Sequence, residues 1–209
     1  MERTVHLHAP ESRVHGRVAT RRHRGRVRAL VALPRGAGDL NRVFRPGAFV
    51  PAPDGTEVDP FLNPADDAGA HPRPPIPEGC GLAAGRIRAG VTSAIHVHPV
   101  VTQVTCVVSG RLTVRMRSPD DAEPTELVAE PGAAIVTEPG VPMQLANDTE
   151  EDVQVLYVTS PAYLSVRDEG RPVYDDAILL DGWSAPLSDA DRERARIERD
   201  AVLRRTRSR

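Results

Sequence analysis

Between residues 80 and 160 the chain is a series of short apolar runs broken by glycine or proline. The runs cover residues 82–87, 93–98, 103–109, 112–117, 125–129, 134–137, 143–146 and 153–159. Runs this short, at such regular spacing and with turn residues between them, predict a small antiparallel barrel or sandwich of eight strands. Outside this region the pattern weakens. Val27, Ala29, Val31 and Leu33 stand at alternate positions and predict one strand, with a fainter one over residues 5–8. From Pro46 to Pro77 there are nine prolines and no surviving period of two or 3.6, which predicts a lid, a wrapping arm or a disordered stretch. Phe49, Phe61, Leu62 and Ile76 are spaced along it as anchors for crossing a barrel mouth or a dimer partner. After Pro161 comes a tail with Tyr163, Tyr174 and an apolar segment at 178–183. A final helix is expected from Ser188, which forms a capping box with Asp191, towards Arg205, with a thin apolar stripe. The organisation is therefore an N-terminal extension with strands (1–45), a proline-rich arm (46–79), a barrel (80–160) and a C-terminal tail with a helix (161–209).

Composition narrows the chemistry. The 209 residues suit one domain with arms, and 20 prolines against only 3% aromatic residues suit a small core with long irregular connections. Every one of the 27 basic residues is arginine. Without a lysine amine, neither Schiff-base chemistry nor a Walker-type phosphate loop is available. Net charge is −2, and the eight arginines between Arg13 and Arg35 carry no interleaved aromatic residue, so a solvated basic arm is expected rather than a nucleic-acid surface. There is no secretory h-region and no run of 18 apolar residues, which predicts a cytoplasmic chain with no membrane contact. Cys80 and Cys106 have no disulfide or zinc spacing and read as free thiols.

One constellation carries chemistry. His96 and His98 flank Val97, and alternate residues of a strand share a face, so both imidazoles can address one ion. Gln103 opens the next run, with Thr105 on its face and Cys106 on the opposite one. Gly90, Gly110, Gly132 and Gly140 fall at breaks where a positive φ is expected, and Asn147 at a turn. Tyr157 and Trp183 are candidates for lining or covering a pocket. Arg86, Arg88 and Arg115 lie on strands, and any that points inward would clamp a carboxylate. His71 could reach the mouth from the arm, whereas His6 and His8 read as a solvated strand.

In order, these residues are Gly90, His96-Val97-His98, Gln103 and Gly110, followed by Pro131-Gly132, Pro139-Gly140, Pro142, Met143 and Asn147. They resemble the two motifs of the cupin superfamily, with Gln103 where the family has glutamate and Met143 where it has a third histidine. The resemblance implies an all-β fold, a double-stranded β-helix or jelly-roll barrel, carrying the N-terminal strands, arm and C-terminal helix as additions. It also implies one divalent transition-metal ion (Fe, Zn, Mn, Ni or Cu) held by His96, His98, Gln103 and Met143, and a homodimer. The expected function is a metal-dependent enzyme, an oxygenase or cyclase/isomerase. Its substrate would be a small anionic organic molecule, because a site without an anionic protein ligand leaves the ion's charge uncompensated. Arg86, Thr105, Tyr157 and Trp183 are the candidate pocket residues. The alternative is a metal-free cupin that binds a small molecule as a sensor or carrier.

Overall fold

The computed structural model describes residues 43–65, 79–169 and 171–207. The expected strands at 5–8 and 27–33, the arginine-rich stretch, His6, His8, His71 and Ile76 lie outside them. Thirteen strands and one helix follow in chain order. The strands are β1 (Val50–Pro51), β2 (Glu57–Leu62), β3 (Gly81–Ile87), β4 (His96–Val97), β5 (Thr102–Ser109), β6 (Leu112–Met116), β7 (Thr125–Ala129), β8 (Ala134–Thr137), β9 (Met143–Ala146), β10 (Val153–Ser160), β11 (Ser165–Asp168), β12 (Arg171–Asp175) and β13 (Ile178–Leu179). The helix is α1 (Asp189–Arg207). The strands form a six-stranded sheet in the order β1-β2-β3-β10-β5-β8, a five-stranded sheet in the order β13-β4-β9-β6-β7, and the hairpin β11-β12. All pairings are antiparallel. This is the jelly-roll, double-stranded β-helix architecture.

Period-two alternation sorts the long central strands. In β10, Val153, Val155, Tyr157 and Thr159 are buried while the residues between them are more exposed, and β5 does the same with Gln103, Thr105 and Val107. The cross-strand register then stacks the interior in layers. Val107 faces Val155, next to the apolar core of Ile87, Leu112, Val114, Leu145 and Val153. Thr105 faces both Tyr157 and Ile135, and Gln103 faces both Thr159 and Thr137. The interior thus changes from apolar to polar along the strands, and the polar end is where the site lies. Each large apolar side chain in the closed end contributes about 1.5–3 kcal/mol by leaving water.

The four glycines at breaks, Gly90, Gly110, Gly132 and Gly140, all have φ between +70° and +91°, as expected of turns. Asn147 is fully buried and closes its turn through bonds from Nδ2 to the carbonyls of Ile87 and Glu151, while Oδ1 accepts from Thr149. Cys80 and Cys106 are free, and Cys106 sits on the opposite face of β5 from Gln103 and Thr105.

The arm departs from the sequence reading. Residues 57–62 are a strand paired with β3, although Pro60 interrupts its pattern. The pairing shifts register between Asp59 and Leu62, and β1 pairs only with residues 57 and 58, so Pro60 sits where no ladder hydrogen bond is required of it. The run at 93–98 shortens to His96–Val97, and the tail contributes β11, β12 and β13, of which β13 pairs with β4. The capping box holds: Ser188 Oγ accepts from the Asp191 amide at 3.2 Å and donates to the Asp191 carboxylate at 2.5 Å. No helix among the described residues is long and apolar enough to cross a membrane.

Candidate functional site

The polar end of the barrel opens on a cavity of about 630 Å³. Barrel strands supply His96, His98, Gln103, Tyr157 and Thr159. The arm supplies residues from Val50 to Ala65, the tail adds Tyr163, Arg167 and Asp175, and α1 reaches it with Thr206.

Both histidines are buried, at 4% and 5% exposure, with ring centroids 5.2 Å apart and nearly perpendicular planes. Each Nδ1 is used by the backbone: His96 Nδ1 donates to the Ala94 carbonyl at 3.1 Å and His98 Nδ1 to the Asp176 carbonyl at 3.2 Å. A proton fixed on Nδ1 leaves the lone pair on Nε2, the arrangement that prepares an imidazole to bind an ion or accept a proton. Burial, with the neighbouring His96 as a second cause, lowers the His98 pKa to about 3 against the pull of the Asp176 carbonyl, so this ring is neutral over the physiological range. Tyr163 stands edge-on to His98 at 5.5 Å and donates its hydroxyl to Asp175, while its own carbonyl accepts from Asn63 at 2.7 Å. Burial raises both tyrosine hydroxyls, Tyr157 and Tyr163, well above the ordinary phenol range, with the carboxylate of Asp54 acting in the same direction.

Gln103 is buried and donates Nε2 to Thr105 Oγ1 at 3.2 Å, which directs its amide oxygen elsewhere. Met143 pairs with His96 in register but is fully buried, within the packed interior rather than on the described cavity wall. Of the four pocket candidates, Tyr157 lines the cavity and Thr105 stands one layer behind, bonded to Gln103. Arg86 does not point inward. It shares the outer face of β3 and pairs with Glu57 at 2.5 Å beneath the Phe49 ring at 4.9 Å, because β2 places Glu57 directly opposite it. Arg88 joins the same carboxylate, and Arg115 pairs with Glu126, so neither is a clamp in the cavity. Trp183 is half-buried and off the cavity wall, its carbonyl meeting Arg117 at 3.5 Å.

Three positions carry weight that the sequence did not mark. Asp54 belongs to the turn between β1 and β2. Its carbonyl accepts from the Ala94 amide at 2.7 Å, and its carboxylate comes within 3.9 Å of His96 Nδ1. Asp176 is buried beside the site. Its carboxylate accepts from the Leu164 amide at 2.6 Å, from the Tyr174 hydroxyl at 2.9 Å and twice from Arg199 Nε at 3.1 Å. Arg199 of α1, itself buried, also donates to the Ala162 carbonyl. The Pro53-Asp54-Gly55 triplet signals only a turn, and nothing in the helix pattern distinguishes Arg199 from its solvated neighbours.

A cupin domain model matches residues 85–159, and no curated protein matches the chain. Among solved structures, Drosophila melanogaster CENP-C bound to CAL1 is similar at 15% identity over 54% of this chain and 79% of its own, with a TM-score of 0.43. KdgF from Halomonas sp. gives 17%, 55%, 88% and 0.41 in the same order. A Klebsiella pneumoniae protein described by its double-stranded beta-helix domain gives 18%, 51%, 78% and 0.37. The matched segment, both motifs and one part of the two-sheet jelly roll coincide, and residues 85–159 are a cupin domain.

Proposed function

We propose that this chain is a metal-dependent cupin enzyme acting on one small organic molecule enclosed in the cavity. The observation that carries the reading is the state of the two histidines. Both rings are buried, both Nδ1 atoms are engaged by backbone carbonyls, and both side chains open on a cavity of ligand size. The donor set fits a divalent transition-metal ion. His96 and His98 would hold it through Nε2, with the Gln103 amide oxygen as a third, neutral donor and the remaining positions open. Such an ion supplies Lewis-acid polarisation of a bound oxygen, or oxygen activation. The protein's own part is to fix the imidazole tautomers, to orient Gln103 through Thr105, and to close the chamber with Tyr157, Tyr163 and the arm.

Metal content is the direct test. Protein purified without chelator and reconstituted should hold close to one ion per chain, and His96→Ala with His98→Ala should lose it while keeping its circular dichroism. Unchanged uptake in that variant would place the ion elsewhere. A second reading, a metal-free binding module, draws support from the absence of any group of three His, Cys, Asp or Glu able to hold a metal among the described residues. A wild type that takes up no ion under any reconstitution would favour it.

A further inference from the structure

From the arm's side of the cavity, we infer that Asp54 is the recognition group for the bound molecule, and that the molecule presents a hydrogen-bond donor, a hydroxyl or a protonated amine, to it. The inference rests on the small-molecule reading above and narrows the ligand class. It also reverses the sequence-level expectation of an anionic substrate.

Four observations carry it. Asp54 lines the cavity with its side chain only 11% exposed. Its two carboxylate oxygens are not equivalent. Oδ1 accepts from the Thr56 amide at 3.1 Å and from the Thr56 hydroxyl at 2.8 Å, and Thr56 is itself buried. Oδ2 takes no part in those bonds and stands 3.9 Å from His96 Nδ1, too far for a hydrogen bond. That Nδ1 is already committed to the Ala94 carbonyl. The carboxylate is therefore held by one oxygen and left with acceptor capacity on the other. The backbone bond from Ala94 to the Asp54 carbonyl ties the turn to the residues leading into β4, which fixes this oxygen relative to the histidines.

The charge balance of the wall points the same way. Among the described cavity-lining residues the charged side chains are Asp54, Asp175 and the exposed Arg167. Asp175 is occupied by the Tyr163 hydroxyl, the Ser165 hydroxyl and the Ala177 amide. The arginines that the sequence offered as carboxylate clamps are engaged outside, Arg86 and Arg88 with Glu57 and Arg115 with Glu126. On the arm's side a substrate carboxylate would stand against Asp54 with only the exposed Arg167 of the wall to offset it, whereas a hydroxyl or ammonium group would satisfy Asp54 Oδ2; an ion held by the histidines would draw a carboxylate to its own side of the chamber. The rest of the ligand would lie against Val50, Pro51, Val58, Leu82 and Ala83, which makes its body apolar.

The test uses one hydrocarbon body with three heads: 2-naphthylmethanol, 2-naphthylmethylammonium and 2-naphthoate. Binding to the full chain, with and without added Zn²⁺, is read by calorimetry for wild type, Asp54→Asn and Asp54→Ala. Asn keeps an oxygen to accept from Thr56, so the turn should persist, and circular dichroism checks both variants. Without added Zn²⁺, wild type should bind the ammonium and the alcohol at least about tenfold tighter than the carboxylate, and both substitutions should erase most of the ammonium preference; added Zn²⁺ should raise carboxylate binding in wild type and variants alike. A carboxylate that binds metal-free wild type best, or a metal-free ranking unchanged in both variants, overturns the assignment of Asp54 while leaving the cavity as a binding site. No binding of any head to wild type overturns the small-molecule reading along with it.

Discussion

At the scale of single residues, the site is defined by which atoms the backbone has already claimed. Because His98 is neutral and its pKa is lowered to about 3 from an ordinary 6.5, the unfolded chain binds more protons than the folded one between those values. Stability is then gained as pH rises through that window and lost as it falls from 6.5 towards 3. Ring nitrogen shifts should show a neutral His98 at pH 5, and titration near 6.5 would mean that the ring is solvated. Gln103 invites the opposite experiment. Gln103→Glu restores an anionic donor, and affinity for Fe(II), Mn(II) or Ni(II) should rise at least about tenfold, ~1.4 kcal/mol, by titration of apo-protein. No gain would mean that the amide does not address the ion. Gly85 shows how a residue without chemistry can still shape the site. A Cβ there would run into the Tyr157 ring and stand 2.7 Å from Val155 Cγ2, so Gly85→Ala should cost about 1–3 kcal/mol in chemical denaturation and displace a cavity-lining tyrosine.

At the scale of elements, the barrel strands were legible from short apolar runs between turn residues, and the strands outside the barrel were not. β8 falls where alternation and flanking glycines put it, with Ile135 and Thr137 turned inward between the positive-φ turns at Gly132 and Gly140, whereas β7, exposed over residues 125–128, was marked by its bounds and not by alternation. β2 was hidden by Pro60, whose tolerance depends on β1 being only two residues long, a fact of topology rather than of local pattern. His96, His98 and Gln103 were put on one inward face from their spacing, and all three line the cavity. Asp54 was not, because a Pro-Asp-Gly turn looks the same whether it faces water or a cavity. α1 was expected to carry a thin apolar stripe, and it does: Val202 is buried and Ile197 is 59% exposed. What fastens the helix is Arg199, inserted against Asp176 and the Ala162 carbonyl. Asp176 is also the residue whose carbonyl orients His98. Arg199→Ala should therefore cost about 3–5 kcal/mol by leaving a buried carboxylate without its partner. Arg199→Lys should recover only part of this, because an ammonium cannot reproduce the guanidinium fork.

At the scale of the whole molecule, the chamber is made by segments that flank the matched domain, and its outer edge depends on charge. Hydrogen bonds from Arg88 and Arg86 hold the Glu57 carboxyl below its ordinary 4.5, which secures β2 on β3. A depressed carboxyl stabilises above the unfolded value and loses that contribution as pH falls through the folded one. Protection of the β2 amides relative to their intrinsic exchange should therefore fall below about pH 4.5, and Glu57→Gln should show the lower protection at every pH. Equal protection at pH 3 and 7 would show that the edge does not need the pair. The Arg199–Asp176 anchor has a further bearing on the order in which the protein becomes competent. A ribosome delivers the barrel strands before α1, so the sheets can close while His98 still lacks the carbonyl and the helix that set its ring. A nascent chain with its barrel folded would thus carry both histidines yet have no finished chamber until residues 176–199 had emerged and docked.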